Sequence, residues 1–386
     1  MPLYLAYKEM WRNKARFTAI ILIVALTTLL VIFLAALSDG LALSAKQYIE
    51  NIDAELIVFQ NDVDLQIPAS RLGRSRINDL ERIAGVEAIG AIGVSSAAVM
   101  LPGPEGLEKI NVTLVGVDPG MPGSPSTVMG RELADERAEE VVIDQHLLNR
   151  ADVDIPLGST LTLKVIQGTE ERLFDLTVVG HASGQFINFG PSIFVPLRVW
   201  NSVKPQDRPG GGSDLIFNMA AVQVDESANS DQTAALIQEQ VNRIEVTDRV
   251  STYEATAGFL EMQQLIVVQQ NFVLLIVLLI IGGFFQIQAL QKVTQIGMLK
   301  AIGAPNRLIT LSLLTQVMLT TAIGLLIGGG TIYLLSFFMP PSVPIVFDVQ
   351  KIGTAVISIL ISGPLAAIVA VRTLFKVEPL KALGLS

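Results

Sequence analysis

From Gln291 to Arg307 the chain reads Gln-Lys-Val-Thr-Gln-Ile-Gly-Met-Leu-Lys-Ala-Ile-Gly-Ala-Pro-Asn-Arg. Lys292, Lys300 and Arg307 fall in this short segment, while the windows on either side, Glu261 to Lys292 and Arg307 to Asp348, contain no Asp, Glu, Lys or Arg between those bounds. A helix needs roughly 20 apolar residues to cross about 30 Å of hydrocarbon, and both windows exceed that. The segment therefore reads as the bend between two membrane helices.

The rest of the composition agrees. Of 386 residues 51% are hydrophobic and 16% charged, and the mean hydropathy is +0.53, too apolar for an ordinary soluble chain. Two more charge-free windows reach span length, from Arg16 to Asp39 and from Lys351 to Arg372. The window after Arg307 is read as one span with a re-entrant or interfacial tail, because Gly328-Gly329-Gly330 and Pro340-Pro341 supply places to bend or stop.

The expected fold is integral membrane α-helical, with four transmembrane helices and a large mixed α/β extracytoplasmic domain between helices 1 and 2. In order, the chain divides into an amphipathic helix (1–16), a first span (17–38), the outer domain with a stalk (39–261), a second span (266–290), the bend (291–307), a third span (308–338), an outer loop (339–351), a fourth span (352–371) and a tail (372–386).

Orientation follows from the cations near the span ends. Lys8, Arg12, Lys14 and Arg16 precede the first span, the bend holds three cations, and Arg372, Lys376 and Lys381 follow the fourth span. All three segments, and with them both termini, are placed in the cytoplasm. Residues 39–265 hold 33 acidic and 16 basic side chains, a net of −17, against +8 for the remainder. Cysteine is absent, so the outer domain draws its stability from its core and not from disulfides.

Within the outer domain, strands are expected at 54–60, 86–101, 110–117, 141–143, 160–166, 172–179, 192–195 and 217–224, with an extended stretch at 246–251. A helix is expected over 75–83 with Ser75 as its cap, a short one near Leu147, and an amphipathic one from Ser230 to Ile244. The Gly/Pro-rich breaks at 119–125 and 205–212 mark the segment between them as an inserted β-rich subdomain, about 119–212. From Tyr253 to Gln270 helical spacing runs into the second span as a stalk.

Enzymatic motifs are missing. The sequence has no Gly-Lys-Ser or Gly-Lys-Thr of a phosphate-cradling loop, no His-Glu-x-x-His and no Gly-x-Ser-x-Gly. The two histidines, His146 and His181, stand far apart without a cysteine, so neither a catalytic residue nor a metal site is assigned. Among the polar groups inside the spans, Gln286, Gln288, Gln316, Thr315, Thr320 and Thr321 are expected to tie helices together. The glycine face of Gly324, Gly328, Gly329 and Gly330 suits close helix packing, with a dimer seam as one use of it.

Within the bend, Gln295-Ile296-Gly297-Met298-Leu299-Lys300-Ala301-Ile302-Gly303-Ala304 makes a short amphipathic helix closed by a glycine and followed by Pro305. The residues alone leave open whether it is a docking element or an ordinary loop. Its pattern resembles the coupling helix of the FtsX/MacB family of ABC transporter permeases, where a motif close to Glu-Ile-Gly-x-Leu-x-Ala-Ile-Gly-Ala sits in a groove of the ATPase. Ile296, Gly297, Leu299, Ala301, Ile302, Gly303 and Ala304 match it, and Gln295 stands where many members carry Glu.

The basic start from Tyr7 to Arg16, the layout of one span, a large outer domain and three spans, and the tail Val377-Glu378-Pro379-Leu380-Lys381-Ala382-Leu383 are similar to that family. Gln291-Lys292 with Gln295, and Ala36 to Leu41 closing the first span, look most similar to its haem-exporter-like branch.

The resemblance implies a permease homodimer working with two copies of a separate ATPase that binds ATP and magnesium, in the lipid bilayer, and with a periplasmic adaptor where there is an outer membrane. It implies export or extraction of a hydrophobic or amphiphilic compound such as haem, a lipid or a peptide. An FtsX-type signalling role without cargo stays open beside it. This chain is expected to be no enzyme and to bind no cofactor of its own, its substrate residues are unassigned, and nucleic acid is not an expected partner.

The first span could be mistaken for a signal peptide, since Ala36 and Ser38 mimic a small-residue cleavage site. Its apolar run is longer than a signal core of roughly 7–15 residues. Intact-mass spectrometry of the purified protein is expected to return the mass of the uncut chain, 41.5 kDa; a species shortened by the first span would refute the reading.

Overall fold

The computed structural model describes residues 8, 10–103, 106–151, 155–167, 169–187, 190–204, 215–256, 258–291, 298, 305–339, 343 and 345–375. In chain order the elements are α1 (Lys14–Asn51), β1 (Leu56–Gln60), β2 (Leu72–Gly73), α2 (Ser75–Leu80), β3 (Val86–Gly103), β4 (Gly106–Val117), β5 (Thr127–Gly130) and β6 (Glu140–Asp144). They continue with α3 (Gln145–Ala151), β7 (Thr160–Gln167), β8 (Glu170–Ala182), β9 (Ser192–Pro196), α4 (Leu197–Val203), β10 (Ile216–Phe217), β11 (Met219–Val224), α5 (Ser230–Gln240), β12 (Ile244–Asp248), α6 (Arg249–Glu254), α7 (Phe259–Gln291), α8 (Asn306–Ser336) and α9 (Val349–Phe375). They fall into two compact units, one formed by residues 1–40, 264–339 and 345–386, the other by 41–263 and 340–344.

The first unit is helical. Among the described residues, the helices starting at Lys14, Phe259 and Arg307 are long and apolar enough to cross a membrane, and α9 contributes a shorter apolar stretch, Val349–Leu365. Helix α1 does not stop at Ser38, where the first span was expected to end. It runs 38 residues without a break, about 57 Å at 1.5 Å per residue, because nothing from Asp39 to Asn51 interrupts a helical backbone apart from a tolerated Gly40. Ahead of it Lys8 and Met10–Arg12 are helical and Asn13 makes a turn. Met10 packs on the helical core while Trp11 stays exposed with the Lys14 ammonium 4.3 Å from its ring centre. The other residues of the basic start lie outside the described residues.

Inside this unit Phe17, Ile20 and Val24 of α1 cluster with Val277 and Ile281 of α7, Val317 of α8 and Ile359 of α9. The glycine face expected to suit close helix packing does so within the chain at two of its four positions. A side chain at Gly324 would run into Val24, 2.5 Å away, and one at Gly328 into Thr28, 2.8 Å away, whereas Gly329 and Gly330 face open space. The Gly324-x-x-x-Gly328 spacing thus lets α8 lie close against α1.

Two of the three threonines expected to tie helices together bond locally instead. Thr315 and Thr320 donate to the carbonyls of Leu311 and Gln316, four residues back in the same helix, at 2.7 Å. A Thr hydroxyl in a helix reaches that carbonyl more easily than a neighbouring helix.

The second unit is a ten-stranded sheet of order β12-β1-β11-β3-β4-β9-β6-β8-β5, with β7 pairing both β3 and β8. That double pairing closes β3, β4, β9, β6, β8 and β7 into a hydrogen-bonded ring. The strands expected as an inserted subdomain therefore belong to the same sheet as β3 and β4. Pairing is antiparallel except between β4 and β9 and between β6 and β8. Val99, Val112, Ile143, Leu163, Val178 and Ile193, one from each ring strand, are buried in a single cluster.

Helix α4, not expected from the sequence, brings Trp200 into this core, fully buried, with its Nε1 donating to Ser95 Oγ at 3.0 Å. Gly93 and Gly116 on adjacent strands leave the slot for its ring. A side chain at Gly93 would meet the indole at 2.6 Å.

On the opposite face Tyr48, Ile49 and Ile52, from the last turns of α1 and just beyond, pack with Ile57, Phe59 and Phe194. Tyr48 donates to the Gly123 carbonyl at 2.9 Å, and Arg249 Nη1 donates to the carbonyls of Glu50 and Ile52, both at 3.1 Å.

Further element boundaries differ from expectation. Helix α2 is preceded by Arg74 with no side-chain cap. Helix α5 is capped by Asn229, whose Oδ1 accepts from Asp231 N at 2.9 Å, and ends at Gln240, since Arg243 takes a left-handed φ of 60° and sends Ile244 into β12. The stalk does not begin at Tyr253. Helix α6 stops at Glu254, and Gly258 at φ 81° breaks the path before α7 starts at Phe259.

Gly324→Val or Gly328→Val is expected to force α8 off α1 and destabilise the chain by about 1–3 kcal/mol, the usual cost of overpacking. Gly329→Val should be neutral. Thermal melts of the full chain in detergent check this, and equal effects at all three positions would contradict it.

Candidate functional site

Of the ten residues assigned to the coupling motif, Met298 is described, helical and half-exposed. Gln295, Ile296, Gly297, Leu299, Lys300, Ala301, Ile302, Gly303 and Ala304 lie outside the described residues, as does the tail from 376. What is placed around them is the frame. Helix α7 ends at Gln291 after 33 residues and α8 begins at Asn306 and runs for 31. Pro305 stands at the first position before α8 with an extended backbone, φ −71° and ψ 144°. Residues 292–304 thus form a short connection between two apolar helices.

The helical unit also holds polar chemistry that the sequence showed only as flanking charge. Asp39, the first charged residue after the first apolar window, is 8% exposed and forms an ion pair with Lys351, the last before the fourth window. Nearby, Val346 N donates to the Ala36 carbonyl at 3.1 Å. Asp348 Oδ1 accepts from Gln350 N at 2.8 Å, which starts α9. A cavity of about 130 Å³ opens beside Lys351, between α1, α7 and α9. Sequence reading missed the pairing because 312 residues separate the partners.

In the outer unit, charges gather where loops cross the sheet. Arg74 bonds Asp118 Oδ1 at 2.9 Å and reaches Glu136 at 3.5 Å, and Arg198 Nε donates to Glu136 Oε2 at 2.8 Å. Burial pushes the Asp118 carboxyl up, against the pull of Arg74, while the bond from Arg198 holds Glu136 below the usual carboxylate range. Beside this chain lies an open cleft of about 430 Å³ lined by Arg137, Glu139, Asp175 and Arg198 among apolar neighbours. Its mixed charge favours no ligand class.

His146 stacks on Phe186 with ring centres 4.1 Å apart, and His181 is buried on β8. Among the described residues no three His, Asp or Glu gather as metal ligands.

Asp144 is fully buried at the end of β6, its Oδ1 accepting from His146 N at 2.9 Å and its Oδ2 from Gln185 N at 2.6 Å. It ties β6 to the loop after β8. These groups are structural clamps.

Residues 17–240 match the model of the MacB-like periplasmic core domain, and residues 271–379 match that of the FtsX-like permease C-terminal region. The chain belongs to the FtsX/MacB-like permeases. Within them it lies on the HrtB branch. It is 23% identical over 382 residues to a putative hemin transport system permease protein HrtB of Staphylococcus haemolyticus, covering 98% of this chain and 99% of that one. It is 23% identical over 383 residues to a protein of the same description from Staphylococcus epidermidis, with the same shares covered.

Among solved structures, the periplasmic region of MacB from Actinobacillus actinomycetemcomitans aligns with a TM-score of 0.36 at 16% identity, covering 53% of this chain and 94% of that one. The extracellular domain of the ABC-type transporter YknZ from Gram-positive bacteria aligns at 0.33 and 16%, covering 50% and 99%. As a member of this family the chain is a membrane protein and a permease subunit with a periplasmic-type α/β domain. The segment from Gln291 to Arg307 falls inside the matched permease region.

The Asp144 carboxyl is pushed up by burial, the largest effect on it, against its two backbone bonds. A carboxylate whose folded pKa lies above its unfolded one destabilises the fold when ionised, and that penalty fades as pH falls through the folded pKa. Asp144→Asn removes the titration. The stability advantage of the wild type over this variant is therefore expected to be larger at pH 4.5 than at pH 8, measured by paired thermal melts; a difference growing toward pH 8 would contradict the assignment.

Proposed function

We propose that this permease has four spans with both termini in the cytoplasm of a bacterial cell membrane, works as a homodimer with two copies of a separate ABC ATPase, and exports or extracts a hydrophobic or amphiphilic compound. Haem is the first cargo to test, because full-length relatives carry the name of hemin transport permeases. ATP and magnesium sit on the partner, in keeping with a sequence that has no phosphate-cradling loop.

The observation that carries the reading is the connection between α7 and α8. A motif matching the family's coupling helix lies between two apolar helices of 33 and 31 residues. The amphipathic stretch from Gln295 to Ala304 is the handle that the ATPase grips. Gln295 lacks the charge of the family's usual Glu, so docking here relies on the apolar residues Ile296, Leu299 and Ile302 and on the glycines that let the helix lie close. Closure of the ATPases around ATP pushes this handle, and α7 carries the push along an unbroken helix toward the outer domain. Cargo is expelled by movement of that domain, without passing through the bilayer.

Replacing Gly297 or Leu299 by Asp places a charge in the docking face. ATPase co-purification and permease-stimulated ATP hydrolysis are expected to fall at least about tenfold, the cost of burying one unpaired charge at a contact. Unchanged association would remove the coupling assignment.

A further inference from the structure

We propose that the helical unit holds a receiving site for the carboxylate of an acidic amphiphile, built by Lys351 and Gln270 in the cavity between α1, α7 and α9. The cavity measures about 130 Å³, roughly the liquid volume of four waters. That accommodates a carboxylate and its first methylenes, while the body of an amphiphile stays outside in the lipid. The lining mixes both characters, with Val31, Ala35, Leu274 and Ala355 apolar and Gln270, Lys351, Thr354 and Ser358 polar.

The hydrogen-bond inventory gives the sign of the ligand. Thr354 and Ser358 spend their hydroxyl protons on the Lys351 and Thr354 carbonyls, at 2.7 and 2.8 Å, so toward the cavity they can only accept. The donors left are the Gln270 amide and the ammonium of Lys351, which has three N–H groups and gives one to Asp39. Asp39 is buried while the Lys351 side chain is 56% exposed. The carboxylate therefore anchors the ammonium on the wall and leaves its other donors available. A cationic ligand would be repelled by Lys351; an anion gains charge-assisted bonds from it.

Asp39 and Lys351 also stand at the ends of apolar windows, at the depth where an amphiphile keeps its polar group. The inference rests on the export reading for its biological sense, and Gln270 places one wall on α7, the helix that leads to the coupling segment.

The test is native mass spectrometry of the full chain in a neutral detergent without ATPase, titrated with oleate and, separately, methyl oleate. The wild type should bind oleate at least about tenfold more tightly than the ester, the worth of one charge-assisted hydrogen bond. Lys351→Gln should lose that preference and Lys351→Arg keep it. Asp39→Asn should bind oleate more tightly, because the competing negative charge is gone.

The double variant Asp39→Asn/Lys351→Gln leaves no buried charge unpaired, so it keeps its melting temperature and must still fail to select oleate. Equal binding of acid and ester, selection surviving Lys351→Gln, or weaker oleate binding in Asp39→Asn overturns the site. Displacement of oleate by phosphatidylglycerol at equal concentration assigns the cavity to a lipid phosphate and overturns the carboxylate reading. Gly297→Asp should leave this binding intact, so loss of ATPase docking and loss of this site are separate outcomes.

Discussion

A backbone surrounded by hydrocarbon can satisfy its N–H and C=O groups only from within itself. That constraint explains the long uninterrupted helices α1, α7 and α8, the confinement of breaks such as Gly258 to ground outside the apolar windows, and the local bonding of Thr315 and Thr320 to their own helix. It also explains why the helical unit coheres through shape. Apolar side chains gain little from exchanging lipid for one another, so α8 approaches α1 where Gly324 and Gly328 permit backbone-level contact. The polar exceptions, above all Asp39 with Lys351, gather at the helix ends where a charge is tolerable and its pairing is strong.

The outer unit solves a different problem, since water competes for every polar group and only apolar burial rewards folding. Its ten-stranded sheet buries both faces, one under α4 and the ring cluster, the other against Tyr48, Ile49 and Ile52. Trp200 occupies the space that Gly93 and Gly116 leave empty. The buried carboxylates Asp118 and Asp144 are clamps tolerated because each meets two partners. No disulfide supports this domain, the sequence having no cysteine, so closure of the ring does the work of a staple.

Function follows from the connection of these parts more than from any reactive group. In the proposed cycle the driving energy enters at a short connection, travels along α7 and is spent as movement. An acid-receiving cavity with one wall on α7 would make the grip on cargo sensitive to the same movement. The charged cleft near Arg198 lacks such a link, and its balanced charges make it a brace for the loops it joins.

Features that depend on local properties are legible in the chain before it folds. The charge-free windows, the cations that bound them, the glycine-closed motif from Gln295 to Ala304 and the missing phosphate loop are all read within a few turns of chain, because hydropathy and helical period act over that range. Most outer strands were legible for the same reason. The tertiary structure decided what depends on which distant segments meet: the ring closed by β7 pairing with both β3 and β8, the slot for Trp200, the inward use of Gly324 and Gly328, and the Asp39–Lys351 pair. Each joins residues far apart in sequence, and a pairing of that kind is selected by the whole set of surfaces it buries, which no single stretch of the chain encodes.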